Sequence, residues 1–290
     1  MSARIVATGV SLDPGTKGSI AHAATAGRAC LAAAGVGPDD VDVLVNVGIY
    51  RDANMVEPSM AALVQRELGI HLDYVKYPRA RAAFSFDLMN GACGLVHALD
   101  VAAAAIATGA ERVLVVSSDA HPSGEPHEDF PYASVGAALL VGAEPDPARG
   151  LGRVAIADDH AGGDGLAGYA LIEDAQGRSR ITIERAADHE ARLLALATGL
   201  GRQQLERERL SDVLLASSLP SPGFGASLAQ ALSLPAASAL PVHGVGRDPH
   251  TSTLAIAYHQ AALEGRLGAR PVLFLAAGAG PSASSIVHRP

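Results

Sequence analysis

The chain contains no tryptophan and only two cysteines, Cys30 and Cys93, in 290 residues. Two thiols in a chain of this size make neither a disulfide framework nor a zinc site. Long apolar runs are also missing. The longest uncharged ones, such as 101–107, fall far short of the roughly 20 residues a membrane-spanning helix needs. The first residues, MSARIVATGVSL, lack a basic region followed by an apolar stretch, so they read as a first strand and not as a leader, and a cytoplasmic location is the expectation. Cations are in the minority, with 22 Lys and Arg against 30 Asp and Glu and a net charge of −8, which argues against general nucleic-acid binding.

What is abundant is Ala, Gly and Val. With 49% hydrophobic residues and this length, the composition favours an α/β core in one large domain or two fused halves. Taken in order, the pattern predicts a strand over 4–9, a helix over 19–34 and a buried strand over 41–47. A loop, GIYRDANMVEP, then leads to a helix, SMAALVQRELGI, and a basic segment, HLDYVKYPRARAA. A Gly/Ala strand closes this half near residue 145, a strand follows near Val154, and a charged helix is expected around 184–210.

The stretch 84–120, FSFDLMNGACGLVHALDVAAAAIATGAERVLVVSSDA, organises the rest. It reads as a strand end, a tight Asn90-Gly91 turn, a helix apolar nearly all round and hence buried on several sides, and a second strand. Cys93 stands where the turn becomes the helix, at the positive end of the helix dipole, a setting that favours thiolate. Gly91 and Gly94 would let a substrate approach the backbone. The alternative is that Cys93 is one more small buried hydrophobe.

The second half repeats the first. DVLVNVGI followed by AALVQRELGI is echoed by DVLLASSLP followed by ASLAQALSLP. The core helix with TGAERVLVVSSDA is echoed by HTSTLAIAYHQAALEGRL with GARPVLFLAAGAG. Cys93 lies sixteen residues before Gly109 and His250 eighteen before Gly268, so the two occupy matching helix starts. Two βαβ-like copies predict a pseudo-twofold duplication, 1–145 carrying the nucleophile and 146–290 carrying the histidine. Cys93 and His250 would then face one pocket.

The segments around Cys93 and His250 resemble the two catalytic segments of the ketoacyl synthase III branch of the thiolase superfamily, and the likeness extends over nearly the whole chain. It implies a duplicated, five-layered αβαβα fold, a homodimer, and transfer of an acyl group through a thioester on Cys93 in fatty acid, polyketide or secondary metabolite biosynthesis. The donor would be acyl-CoA or an acyl carrier protein thioester, with no bound cofactor or metal. An oxyanion hole would come from the backbone N–H of Cys93 and the loop Gly278-Ala279-Gly280. A partner subunit of a heterodimeric condensing enzyme and a Cys-His thioesterase are the alternatives.

The sequence departs from that pattern in three places. Where the family has a His in a Pro-His-Gln-Ala-Asn motif, this chain reads LLASSLPSPGF, with Ser217 or Ser218 at the position. Where the family has an Asn in Gly-Asn-Thr-Ser, this chain reads DPHTST, with His250. The early Trp and Arg segment that holds coenzyme A is missing. Glu57, before Pro58-Ser59, matches the region of a catalytic Glu that head-to-head condensing relatives take from the partner subunit. A carboxylate in an apolar tunnel could serve as a base, and the alternative is a solvent-facing Glu at a helix start. Lys76, Arg79 and Arg81, together with Asn90, are candidate substrate contacts. The three cations would meet pantetheine phosphates or an acidic carrier, with a solvated loop as the alternative. His97, one helical turn after Cys93, reads as a structural histidine, His243 as part of a turn, and the polar groups 158–164 and 121–129 as surface loops.

Overall fold

The computed structural model describes residues 2–72, 82–161, 163, 165–171, 173, 177–278 and 280–290. The first half supplies strands β1 (Ser2–Ser11), β2 (Val43–Asn46), β3 (Phe84–Asp87), β4 (Arg112–Asp119) and β5 (Val135–Glu144). Its helices are α1 (Ser19–Ala34), α2 (Met60–Leu68) and α3 (Gly94–Ala107). The second half supplies β6 (Gly150–Leu151), β7 (Ala155–Asp158), β8 (Leu166–Tyr169), β9 (Thr182–Arg185), β10 (Leu214–Ser217), β11 (Val272–Gly278) and β12 (Ser282–Arg289). Its helices are α4 (His189–Glu208), α5 (Phe224–Ala231) and α6 (Thr253–Leu263).

The strands form two main sheets with the same internal order. One runs β1-β5-β4-β2-β3; the other runs β10-β11-β12, with β6 and β7 both pairing β12. In each, the strand after the core helix pairs parallel with one neighbour (Val43 opposite Val113, Leu214 opposite Val272) and antiparallel with the next. This is the repeat read from DVLVN and DVLLAS, now as strand pairing.

Burial explains why these strands are apolar throughout. In β4, Val113 and Val115 turn to the central core while Leu114 and Val116 turn to an outer one; in β11, Val272, Phe274 and Ala276 alternate in the same way with Leu273, Leu275 and Ala277. A sheet covered on both faces needs no polar face, so the period-2 signal disappears into a continuous hydrophobic run. The central core joins both sheets to α3 and α6. α1 and α2 cover the outer face of the first sheet, and α4 and α5 that of the second. The result is five layers, αβαβα, with α3 and α6 at the centre.

Two expectations are corrected. The stretch from 184 is not helical from its start: Thr182–Arg185 is a strand, antiparallel to β8, and α4 begins only at His189. Glu184 lies on the exposed side of a two-stranded ribbon while Ile183 packs inward on Tyr50, Phe130 and Tyr132, so charge density imitated a solvated helix. Likewise the long apolar strand RVLVVSS, which from its sequence would need covering at its edge by a twofold partner, is β4 and is flanked by β5 and β2; the strand at that end of the sheet is β3.

Candidate active site

A tight 3-10 turn precedes each central helix, Gly91–Cys93 before α3 and His250–Ser252 before α6. The two turns touch each other, and each is braced by the opposite sheet: the cysteine turn by β11, the histidine turn by β4. The pseudo-twofold arrangement thus brings Cys93 and His250 to one place.

Cys93 is fully buried. Its thiol lies 3.6 Å from the carbonyl oxygen of Ser282 and 3.7 Å from that residue's hydroxyl, and Ser284 Oγ donates to the Cys93 carbonyl at 3.4 Å. Burial pushes the thiol up, against the smaller opposing pull of the Ser284 and Ser282 hydrogen bonds. Burial thus favours the neutral thiol, against the thiolate that a helix start favours. The Cys93 N–H is also not idle, since it donates to the Asn90 carbonyl at 3.0 Å. The flanking glycines have packing reasons of their own. Gly91 has φ 49°, and a Cβ on Gly94 would sit 3.2 Å from that of Val47.

His250 is held far more tightly by polar groups. Its Nδ1 lies 3.1 Å from Asp119 Oδ2, and its backbone N–H donates to Asp248 Oδ1 at 2.8 Å. The residue sits at φ 49°, a left-handed conformation that a non-glycine side chain adopts only when its surroundings enforce it. Asp119 has no exposed surface, and hydrogen bonds account for both of its oxygens. Oδ1 accepts from the backbones of Ile49 (3.0 Å) and Tyr50 (2.8 Å), and Oδ2 from the Thr251 hydroxyl (2.5 Å) and backbone (3.3 Å) as well as the imidazole. Burial alone would lower the basicity of His250, but the Asp119 charge and hydrogen bond reverse this and leave it above the ordinary value. Burial likewise opposes the Asp119 carboxylate, and its imidazole, Thr251 and backbone partners bring it below the ordinary value. The tied Nδ1 leaves Nε2 as the nitrogen for a pocket.

That pocket is a narrow cavity of about 20 Å³, room for little more than one water. Ala92, Ala277 and Gly278 line it together with His250, Tyr132, Arg185 and His189, and Cys93 adjoins this lining in the chain through Ala92. The Tyr132 ring stacks on His250 at 4.1 Å. Ser217 and Ser218, standing where the family has its histidine, are buried, and Ser218 Oγ accepts from the Ala277 N–H at 2.9 Å.

The other candidates separate. Asn90 Nδ2 lies 3.1 Å from His97 Nε2, so the two form a pair at the start of α3. Glu57 is exposed; α2 starts instead on Asp87, which accepts from Met60 and Ala61, and on Ser59, which accepts from Ala62. Gly280 lies just past β11, with open space where a Cβ would stand. Lys76, Arg79 and Arg81, like Ala279 and Asp164, lie outside the described residues. The His243 backbone exchanges hydrogen bonds with the Gln260 side-chain amide, and His121 stacks on His127 at 4.6 Å. Asp119, Tyr132 and Asp248 are site residues that sequence reasoning passed over. The one available signal was an acid at the end of the otherwise apolar strand RVLVVSSD.

No family model matches the chain. The β-ketoacyl-[acyl-carrier-protein] synthase III of Cereibacter sphaeroides is 39% identical over 98 residues, 33% of this chain and 27% of the relative; that of a Ruegeria species is 38% identical over 100 residues, 34% and 27%. The match thus spans about a quarter of the length of these curated relatives. Among solved structures, the synthase III of Pseudomonas aeruginosa superposes with a TM-score of 0.80 at 19% identity, covering 100% of this chain and 98% of that one. A priming β-ketosynthase of a polyketide biosynthetic pathway gives 0.82 at 19%, covering 99% and 96%. OleA of Xanthomonas campestris gives 0.76 at 14%, covering 100% and 99%. The chain has the fold of these synthases and is similar in sequence to β-ketoacyl-[acyl-carrier-protein] synthase III over about a third of its length.

Proposed function

We propose that this protein is an acyl-thioester transferase in which Cys93 carries the acyl group and His250, oriented by Asp119, moves the proton. The observation that carries the reading is the reciprocal bracing of the two turns, which puts an imidazole clamped by a buried carboxylate next to the cysteine turn. Neutral His250 accepts the Cys93 proton, and the thiolate attacks the thioester carbonyl. The tetrahedral intermediate collapses with loss of the CoA or carrier thiolate, which takes the proton back from the imidazolium. In the second half, His250 deprotonates the acceptor, a carbon acid or a hydroxyl, amine or thiol, and Cys93 departs as thiolate. The backbone N–H groups of Cys93 and Gly280 are the candidate oxyanion donors; for Cys93 this requires exchanging the Asn90 carbonyl for the oxyanion.

The same proposal includes a homodimer in which Glu57 serves the neighbouring pocket. Supporting it are the edge position of β3 among the described strands and the exposed Val56, Phe84 and Met89, apolar side chains of the kind that pairing across a twofold axis would cover.

Incubating the protein with a panel of acyl-CoA and acyl-carrier thioesters, followed by intact mass and peptide mapping, tests the reading. A mass increase on Cys93 that an acceptor discharges is the expected result. Discharge to water alone would make the protein a thioesterase. The complete burial of Cys93 and the small pocket favour a second reading, a partner subunit that completes another synthase. No labelling with any donor would select that reading.

A further inference from the structure

The mouth of the pocket carries a cationic group that the proton-transfer chemistry does not use. Arg185, the last residue of β9, lays its guanidinium over the Tyr132 ring, 5.4 Å from the centroid, and Tyr132 in turn stacks on His250. The guanidinium therefore stands one aromatic ring away from the imidazole. Its contact is with the Tyr132 side chain, and among the described residues it forms no ion pair with a carboxylate. Arg192, one turn into α4, shows what a structural arginine looks like here: it is tied to Asp159 at 2.9 Å and to the carbonyls of Ala161 and Gly163. Asp248, which lines the same pocket, gives Oδ1 to the His250 backbone and acts on Arg185 through its charge without an ion-pair contact.

A second observation comes from His189. This first residue of α4 is 5% exposed and lines the pocket, and its Nδ1 has no hydrogen-bond partner. It also stands at the positive end of a 20-residue helix. A buried polar atom without a partner is expensive to maintain unless a ligand or solvent meets it. Arg185 and His189, the latter with its Nδ1 toward Gly165, thus line one small space with Ala92 and Gly278.

We propose that the acyl group accepted at Cys93 is short and ends in a carboxylate, which Arg185 recognises with His189 beside it. The inference rests on the acyl-transfer reading for what the pocket holds. The single-ring separation from His250 sets the chemistry: the anion must lie within a few bonds of the reacting carbonyl. That fits a terminal carboxylate on a short acyl chain and not a phosphate at the far end of a pantetheine arm. A planar guanidinium suits such a group, because it can donate two parallel hydrogen bonds to one carboxylate.

Calorimetric titration of the Cys93→Ala protein with succinyl-CoA and butyryl-CoA, which share the carrier arm and chain length, tests this without chemistry. Succinyl-CoA is expected to bind ~10- to 100-fold more tightly, the range for a hydrogen bond to a charged group. Adding Arg185→Gln should bring the ratio of affinities to about one, and Arg185→Lys should retain part of it. Equal affinities, no binding of succinyl-CoA, or a preference that survives Arg185→Gln overturns the proposal. Failure of the acyl-transfer reading would appear elsewhere, as an unlabelled Cys93 in the wild-type protein.

Discussion

The two central turns occupy equivalent places in a duplicated fold, yet they hold their key residues by opposite means. The Cys93 turn is an apolar fit: a sulfur without solvent exposure, a weak contact to Ser282, and glycines chosen by backbone shape and by Val47. The His250 turn is a polar clamp, with one imidazole nitrogen on a buried carboxylate, the backbone on another, and a left-handed φ kept in place by both. The difference teaches where activation comes from. Burial pushes Cys93 toward the neutral thiol, and the Asp119 clamp pushes His250 toward the imidazolium. A thiol and an imidazolium both hold their protons, so the chemistry starts from the neutral imidazole, which takes the Cys93 proton. Reciprocal bracing makes that transfer possible, since β4 carries the acid that serves the histidine of the other half.

Breaking the clamp is the strongest test of this asymmetry. His250→Ala in a folded protein is expected to slow Cys93 acylation by ~10² to 10⁴, the usual contribution of a positioned acid or base, as measured by rapid-quench mass spectrometry. An unchanged rate would leave the thiol to be activated by the helix alone.

Asp119→Ala leaves the buried imidazole and the Ile49, Tyr50 and Thr251 donors without their acceptor. A loss of about 3–5 kcal/mol in denaturant unfolding is expected. The wild-type contribution also has a pH signature. Asp119, held below its ordinary value, stabilises the fold above the unfolded carboxylate pKa, and that stability is lost as pH falls through its folded value. His250, held above its ordinary value, stabilises below the unfolded histidine pKa, and that stability is lost as pH rises through its folded value. The contribution is therefore full only between roughly pH 4 and 6.5. The difference in unfolding free energy between wild type and Asp119→Asn should be greatest there and shrink on either side.

Rate and stability should move in opposite directions above that window. Only neutral His250 can take the thiol proton, so acylation is expected to rise with pH through the raised histidine value while the ion pair's stabilisation fades. A rate that falls over the same range would mean the imidazolium is the active form.

The fold was legible in this sequence to a greater depth than the site was. Duplicated strings such as DVLVNV and DVLLAS, and core helices apolar on all sides, encode burial, and burial is what sequence pattern records. The site depends on groups far apart in the chain: Asp119 meets His250 only because β4 and α6 converge, and Tyr132 reaches the imidazole from a loop. Cys93 and His250 were found because the repeat aligned them. The helix start at Cys93 is local and visible in the sequence, whereas the burial of its thiol and the Ser282 and Ser284 contacts from β12 are not. Arg185 was hidden in a charged stretch that read as helix.

The smallest effect concerns the chain's partner. Exchanging subunits between inactive Cys93→Ala and Glu57→Ala proteins should recover part of the turnover, because one pocket of a mixed dimer then has its own Cys93 and the partner's Glu57. No recovery in dimers shown by tags to be mixed would return Glu57 to the exposed role it has in the single chain.

The central claim is that Cys93 carries the acyl group, and intact mass after a single turnover with a reactive thioester tests it most directly. The account predicts one acyl increment in wild type and in Cys30→Ala, whose thiol burial pushes up to about 12, and none in Cys93→Ala. An increment that persists without Cys93 would contradict it.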